Sequence, residues 1–130
     1  MNNEELDLHF LEYAIENGFD KPAERGSADY LGEMYLMPTK EGGRSGPVGH
    51  NYRPQHFIEG NYYTSGAIRL IGRYILWHGE TGQVYSQLLS PESYKGLARP
   101  GDIISLHEGS KKIGEVKILE IYNPEFGKNS

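Results

Sequence analysis

The chain has 130 residues with no cysteine, and its 13 Lys and Arg against 18 Asp and Glu give a formal net charge of −5. This length fits one domain with its own core, and the lack of cysteine excludes disulfides, zinc–thiolate sites and thiol catalysis. No apolar run approaches the ~20 residues of a membrane helix and no signal-peptide pattern opens the chain. We therefore expect a cytoplasmic protein that does not bind membranes.

Residues 1–29 are predicted to form an N-terminal helix and a connector. Leu8, Leu11 and Ile15 recur at the spacing of one helix face, which we expect to pack on the rest of the domain. Residues 1–36 hold nine acidic and two basic residues, a balance of −7, whereas residues 37–130 carry +2. This acidic arm is either a solvated helix face or a segment that shields a basic face of the body.

From residue 30 the sequence changes to short apolar runs separated by turns. The 17 Gly and 10 Tyr are more than average and are typical of strands joined by tight turns. The predicted strands are residues 30–37, 52–59, 67–77 (with a bulge at Gly72), 83–89, 102–106 and 113–122. Six short strands with frequent turns predict a small closed barrel or a sandwich. We place the β-barrel at residues 30–122 and a C-terminal tail at 123–130.

The sequence lacks the motifs that would indicate a cofactor or an active site. It contains no phosphate loop and no Gly-x-Ser-x-Gly elbow. None of its five histidines pairs with another at metal-ligand spacing on a helix. We therefore predict no cofactor, no metal, no nucleotide and no enzymatic activity. A small enzyme whose site is assembled only in space stays open as an alternative.

Aromatic and basic residues are interleaved in the middle of the chain. The aromatic residues are Tyr52, Phe57, Tyr62, Tyr63, Tyr74, Trp77 and Tyr85, and the neighbouring arginines are Arg44, Arg53, Arg69 and Arg73. Such residues either stack on nucleic-acid bases or form sheet cores and cross-strand pairs. A net charge of −5 opposes binding to phosphates, so we expect RNA binding to be weak.

Two stretches resemble the third, C-terminal domain of translation elongation factor Tu. The first, residues 33–55, contains Glu-Gly-Gly-Arg at 41–44, Pro47, and Tyr-Arg-Pro-Gln at 52–55. The second, residues 104–114, contains Glu-Gly-Ser-Lys at 108–111, similar to the family's closing hairpin. The resemblance covers about residues 30–122 and implies a six-stranded antiparallel β-barrel. In the family this barrel binds the GTPase domain, the T-stem of aminoacyl-tRNA and the exchange partner.

The chain departs from the family in ways that alter the expected function. The GTPase and second domains have no counterpart here, so GTP binding is not expected. Glu59 stands where the family has an arginine that faces tRNA. We expect Gly42 and Gly43 to take unusual backbone angles, and Arg44 to bond backbone carbonyls or a carboxylate.

The sequence thus predicts a free-standing, non-catalytic, translation-related binding module with a protein partner. The alternative from the resemblance is a tRNA- or rRNA-binding protein. The candidate partner- or RNA-binding residues are Arg44, Tyr52, Arg53, Gln55 and Lys111.

Overall fold

The computed structural model describes residues 8, 11–12, 15–16, 23–44, 46–58 and 62–129. Its strands are β1 (Tyr30–Leu36), β2 (Val48–Gly49), β3 (Gln55–Ile58), β4 (Tyr62–Leu70), β5 (Ile75–Leu76), β6 (Thr81–Leu88), β7 (Ile103–Glu108) and β8 (Lys111–Ile121). Short 3-10 turns lie at Thr39–Glu41 and Pro91–Tyr94. Among the described residues, no helix is long and apolar enough to cross a membrane.

Six of the strands form a closed barrel in the order β1-β6-β4-β3-β7-β8, with every neighbouring pair antiparallel. The predicted all-β class and the six-stranded antiparallel barrel are confirmed. The short strands β2 and β5 pair separately beside it. The first and last barrel strands close the sheet, with Tyr30 opposite Ile121 and Leu36 opposite Gly114. Closure leaves no open edge among the six described barrel strands, which removes the usual route by which such strands aggregate.

The core fills the barrel because buried and exposed residues alternate along the strands, as on β6. Its fully buried members include Met34, Leu36, Ile68, Leu70, Val84, Leu106, Ile113, Val116 and Ile118. Residues 123–129 pack against the end of the barrel. There the Phe126 ring is fully buried, stacks on Tyr30 with centroids 5.2 Å apart, and meets the Tyr94 ring edge-on at 4.8 Å.

The C-terminal residues are also bonded to the barrel through polar groups. The Asn129 side chain accepts from the Ile121 amide at 3.0 Å and donates to the Ile121 carbonyl at 2.8 Å. At the same end of the barrel, the buried Asp29 carboxylate accepts from the Leu88 amide at 2.6 Å and from the Asn123 side chain at 2.7 Å. Asp29 thereby joins the start of β1, the end of β6 and the segment after β8.

A small polar network lies inside the barrel. His56 is fully buried, and its Nδ1 donates to the Pro54 carbonyl at 3.3 Å. This leaves Nε2 to accept a hydrogen bond from the Tyr30 hydroxyl at 2.6 Å. The Ser86 hydroxyl lies 3.5 Å from the same nitrogen. Burial raises the pKa of Tyr30 and lowers the pKa of His56 to about 4, so both side chains are neutral in the folded protein.

The predicted strand at residues 67–77 is wrong in its placement. The strand is Tyr62–Leu70, and the chain then turns before the separate two-residue β5. Gly72 lies in that turn with φ of 74°, a left-handed angle that Gly adopts without steric cost, and not in a bulge. The predicted start of the second strand is also early, because β3 begins at Gln55 and Tyr52 forms only an isolated bridge with Ile68.

Most of the predicted N-terminal helix lies outside the described residues. The described residues Leu8, Leu11, Glu12, Ile15 and Glu16 have helical backbone conformation. Leu8 is 62% exposed and Ile15 is 57% exposed. These two apolar side chains therefore do not pack on the barrel as the sequence led us to expect.

Candidate functional site

The loop between β1 and β2 is organised by Arg44. Its Nη1 donates to the carbonyl of Gly46 at 3.1 Å and also to that of Pro47, while Nε lies 2.7 Å from Oε1 of Glu108. The expectation that Arg44 bonds carbonyls or a carboxylate is confirmed, since it does both. Gly42 has φ of 91°, as expected for this loop, but the expected unusual angle at Gly43 is wrong, because its φ is not positive. Gly43 is instead required by space, since a Cβ there would overlap the Met37 carbonyl. The loop thus folds back on the end of β1.

Glu108 joins the two sequence motifs. It ends β7, and its Oε1 accepts from the Tyr52 hydroxyl as well as facing Arg44. The Arg44 guanidinium also lies over the Tyr52 ring, 5.1 Å from its centroid. Burial, followed by the hydrogen bond to Glu108, raises the pKa of Tyr52. The charge of Arg44 is thus largely compensated, and both candidate residues hold the loop against the β7–β8 hairpin.

Lys111 lies at the same end of the barrel. It begins β8 and is the register partner of Glu108 across the hairpin turn. The structure therefore gathers three of the candidate residues, Arg44, Tyr52 and Lys111, around Glu108. The sequence interpretation missed Glu108 as the centre of this cluster. The sequence does contain a signal for this residue. Glu108 is the single carboxylate of the second motif, and its charge is opposite to that of Arg44 in the first motif.

Arg53 and Gln55 are placed elsewhere, on the outer surface of the barrel. Gln55 lies between Ser65 of β4 and His107 of β7. The bridge from Tyr52 to Ile68 continues the β3–β4 register, which sets the exposed Arg53 opposite Ala67. The five candidates thus form two groups and not one site.

Three rings form a cluster on this outer surface. The ring centroids of Phe57 and Tyr63 are 5.2 Å apart, those of Phe57 and His107 are 5.7 Å apart, and those of Tyr63 and His107 are 5.5 Å apart. Tyr63 is 41% exposed and the other two are half-buried. Phe57 and Tyr63 belong to the aromatic residues that are interleaved with arginines in the sequence, but their contact with His107 depends on the pairing of β3 with β7.

We define the aromatic face as the outward-facing residues described on the adjacent strands β4, β3 and β7, together with Arg53 and with Tyr85 and Gln87 of the neighbouring β6. Its members are Tyr85, Gln87, Tyr63, Ser65, Ala67, Arg69, Arg53, Gln55, Phe57, Ile103, Ser105 and His107. Within this set there is no Asp, Glu or Lys, and its only charges are Arg53 and Arg69. The outward residues of β1 and β8, in contrast, mix Glu33 and Glu115 with Lys112 and Lys117. The two sides of the barrel therefore differ sharply in chemistry.

The interior histidine does not form an accessible site. His56 is 0% exposed and Ser86 is 1% exposed, so no substrate can reach them from the surface. Within the part of the chain that the structure describes, no group of three or more His, Asp or Glu side chains is arranged to hold a metal ion. The polar network around His56 is a satisfied element of the core.

No protein-family model matches the chain.

Proposed function

We propose that this protein is a non-catalytic β-barrel binding module, similar to the third domain of elongation factor Tu, that binds a protein partner through the aromatic face. The observation that carries the proposal is the composition of that face. The centres of protein–protein interfaces are enriched in Tyr, Phe and Arg and depleted of Lys, Glu and Asp. The described members of the aromatic face include three Tyr or Phe and two Arg and no Lys, Glu or Asp, alongside two Ser and one Ala of types that interfaces are depleted of. The outward residues of β1 and β8 instead include both Glu and Lys.

The likeness to the elongation factor domain is supported by two features. The chain has the closed six-stranded antiparallel barrel that the resemblance implies. The two resembling motifs also meet in space, because Arg44 and Tyr52 of the first both contact Glu108 of the second. The motifs thus act as one structural unit that fixes the loop to the hairpin. A place in the cytoplasm and a role connected with translation follow from this likeness and are part of the proposal.

A tRNA- or rRNA-binding function is the alternative that charge argues against. Nucleic-acid affinity depends mainly on the number of phosphates that Lys and Arg neutralise. The aromatic face offers only two such residues, Arg53 and Arg69. Arg44, which the resemblance would place in a binding surface, already faces the Glu108 carboxylate at 2.7 Å.

Site-specific photo-crosslinking in the native cell tests the proposal. Replacement of Tyr63 by p-benzoylphenylalanine puts the reactive ring in the centre of the aromatic face. The same replacement of Tyr35, on the β1–β8 side between Thr81 and Glu115, provides the matched control. We expect protease-sensitive adducts from position 63 and none from position 35. Ribonuclease-sensitive adducts would favour the RNA alternative, and equal yields at both positions would refute the proposed face.

A further inference from the structure

The N-terminal segment is complementary in charge and character to the aromatic face. Residues 1–20 contain Glu4, Glu5, Asp7, Glu12, Glu16 and Asp20 and no Lys or Arg. The exposed side chains of Leu8 and Ile15, seven residues apart, lie on the same side of a helix. The segment thus combines apolar groups with excess carboxylates. The aromatic face combines apolar groups with two arginines that have no carboxylate among its described members.

The spacing of the charges also matches. On a helix, Glu12 and Glu16 lie one turn apart, with Cβ atoms ~5–6 Å from each other, on one flank of the Leu8–Ile15 stripe. On the barrel, Arg53 lies opposite Ala67 and therefore diagonal to Arg69, a separation of ~7–8 Å. Two carboxylates one helical turn apart can therefore reach the two guanidinium groups while the apolar stripe covers the uncharged part of the face.

Among the residues that the structure describes, the same copy does not supply this contact. Leu8 and Ile15 are exposed, and so is Tyr63 in the aromatic face. Where the chain approaches β1 it lies beside the edge of the aromatic face, because the Arg25 guanidinium is 3.8 Å from the centroid of the Tyr122 ring and that ring is 6.4 Å from the ring of Tyr85. Both complementary surfaces of one copy are therefore exposed at once, as reciprocal exchange between two copies requires.

We propose that the acidic N-terminal segment of one copy docks on the aromatic face of a second copy, through Glu12 and Glu16 on Arg53 and Arg69. This inference rests on the proposed function, since it uses the same face and names one occupant for it. The contact is exchanged reciprocally, so each dimer contains two copies of it. Because the paired charges are on the surface, added salt weakens the dimer.

Sedimentation equilibrium of the intact chain, at low and moderate salt, tests this inference. We expect self-association that the double variant Arg53→Glu with Arg69→Glu weakens by about tenfold or more. We expect the same weakening when the charges of the N-terminal segment are reversed by Glu12→Lys with Glu16→Lys. A chain that carries all four changes restores the charge match and regains the parent's dimerisation.

The matched control is Lys112→Glu with Lys117→Glu. It makes the same change in charge as the arginine variant, at two exposed positions on β8 outside the aromatic face, and we expect it to leave the dissociation constant within about twofold of the parent. The inference would be overturned if the parent chain were monomeric at every concentration. It would also be overturned if the variant with all four substitutions did not regain the parent's dimerisation. Crosslinking from position 63 separates the two proposals. A monomeric chain that still gives an adduct with another protein refutes only the self-association, whereas a monomeric chain without adducts refutes both.

Discussion

The buried His56 makes the stability of the barrel depend on pH. Burial lowers its pKa from 6.5 to about 4, partly offset by the hydrogen bond to the Pro54 carbonyl. In the unfolded chain the imidazole binds a proton near pH 6.5. Between these values the unfolded state therefore holds more protons than the folded state, and the free energy of unfolding falls as the pH is lowered. At ~1.4 kcal/mol per pKa unit, His56 accounts for a loss of about 3 kcal/mol between pH 7 and pH 4.

Urea unfolding, followed by the fluorescence of Trp77, measures this loss. Carboxylates also titrate in the interval, so the comparison is with His56→Gln, which keeps a polar side chain but does not titrate. We expect the variant to be less stable than the parent at pH 7 and to lose about 3 kcal/mol less between pH 7 and pH 4. If both proteins lose the same free energy, the reasoning is refuted. NMR of the parent gives an independent check, because the His56 ring should titrate near pH 4.

Two substitutions test the packing of the barrel. In Gly114→Ala the added Cβ would overlap the Tyr35 carbonyl across the β1–β8 seam, so we expect a loss of about 1–3 kcal/mol in urea unfolding. Gly46→Ala is its control, because the added Cβ has open space apart from the end of the Arg44 side chain, and no loss in that range should appear. Phe126→Ala removes a fully buried ring that stacks on Tyr30, and we expect the free energy of unfolding to fall by about 3–5 kcal/mol. A drop in melting temperature too small for a buried ring would show that residues 123–129 do not stabilise this end of the barrel.

The sequence predicted the barrel because most of its strands show local signals. β1, β6 and β8 combine apolar alternation with glycine-rich turns, and their predicted positions are close to those observed. The misplaced strand is β4, which was predicted to begin at Ala67, one residue after Gly66, and begins instead at Tyr62. In the structure this glycine lies against the buried His56 ring, and a Cβ there would overlap the ring. A requirement for close packing between distant residues leaves no periodic signal in the sequence.

The candidate site was predictable only in part, for a similar reason. Arg44 and Tyr52 were identified from their motif, but Glu108 lies 56 residues beyond Tyr52 in the chain. Their contact exists because β3 pairs with β7, a register that no local pattern specifies. The aromatic face is likewise a property of four strands together. Alternation indicates which residues point outward, but only the strand order shows that the described residues sharing this surface include no carboxylate.

The pairing of β1 with β8 determines how the barrel would respond to mechanical force. Because Tyr30 is the register partner of Ile121, the chain enters and leaves the barrel at neighbouring points. Tension applied through the flanking segments would separate this antiparallel pair from one end, breaking its hydrogen bonds one after another rather than all together. The hydrogen bonds of Asp29 to Leu88 and Asn123 lie at this point of entry and would be loaded first. The barrel should therefore yield at low force when it is pulled from its two ends, even if it is stable to heat and denaturant.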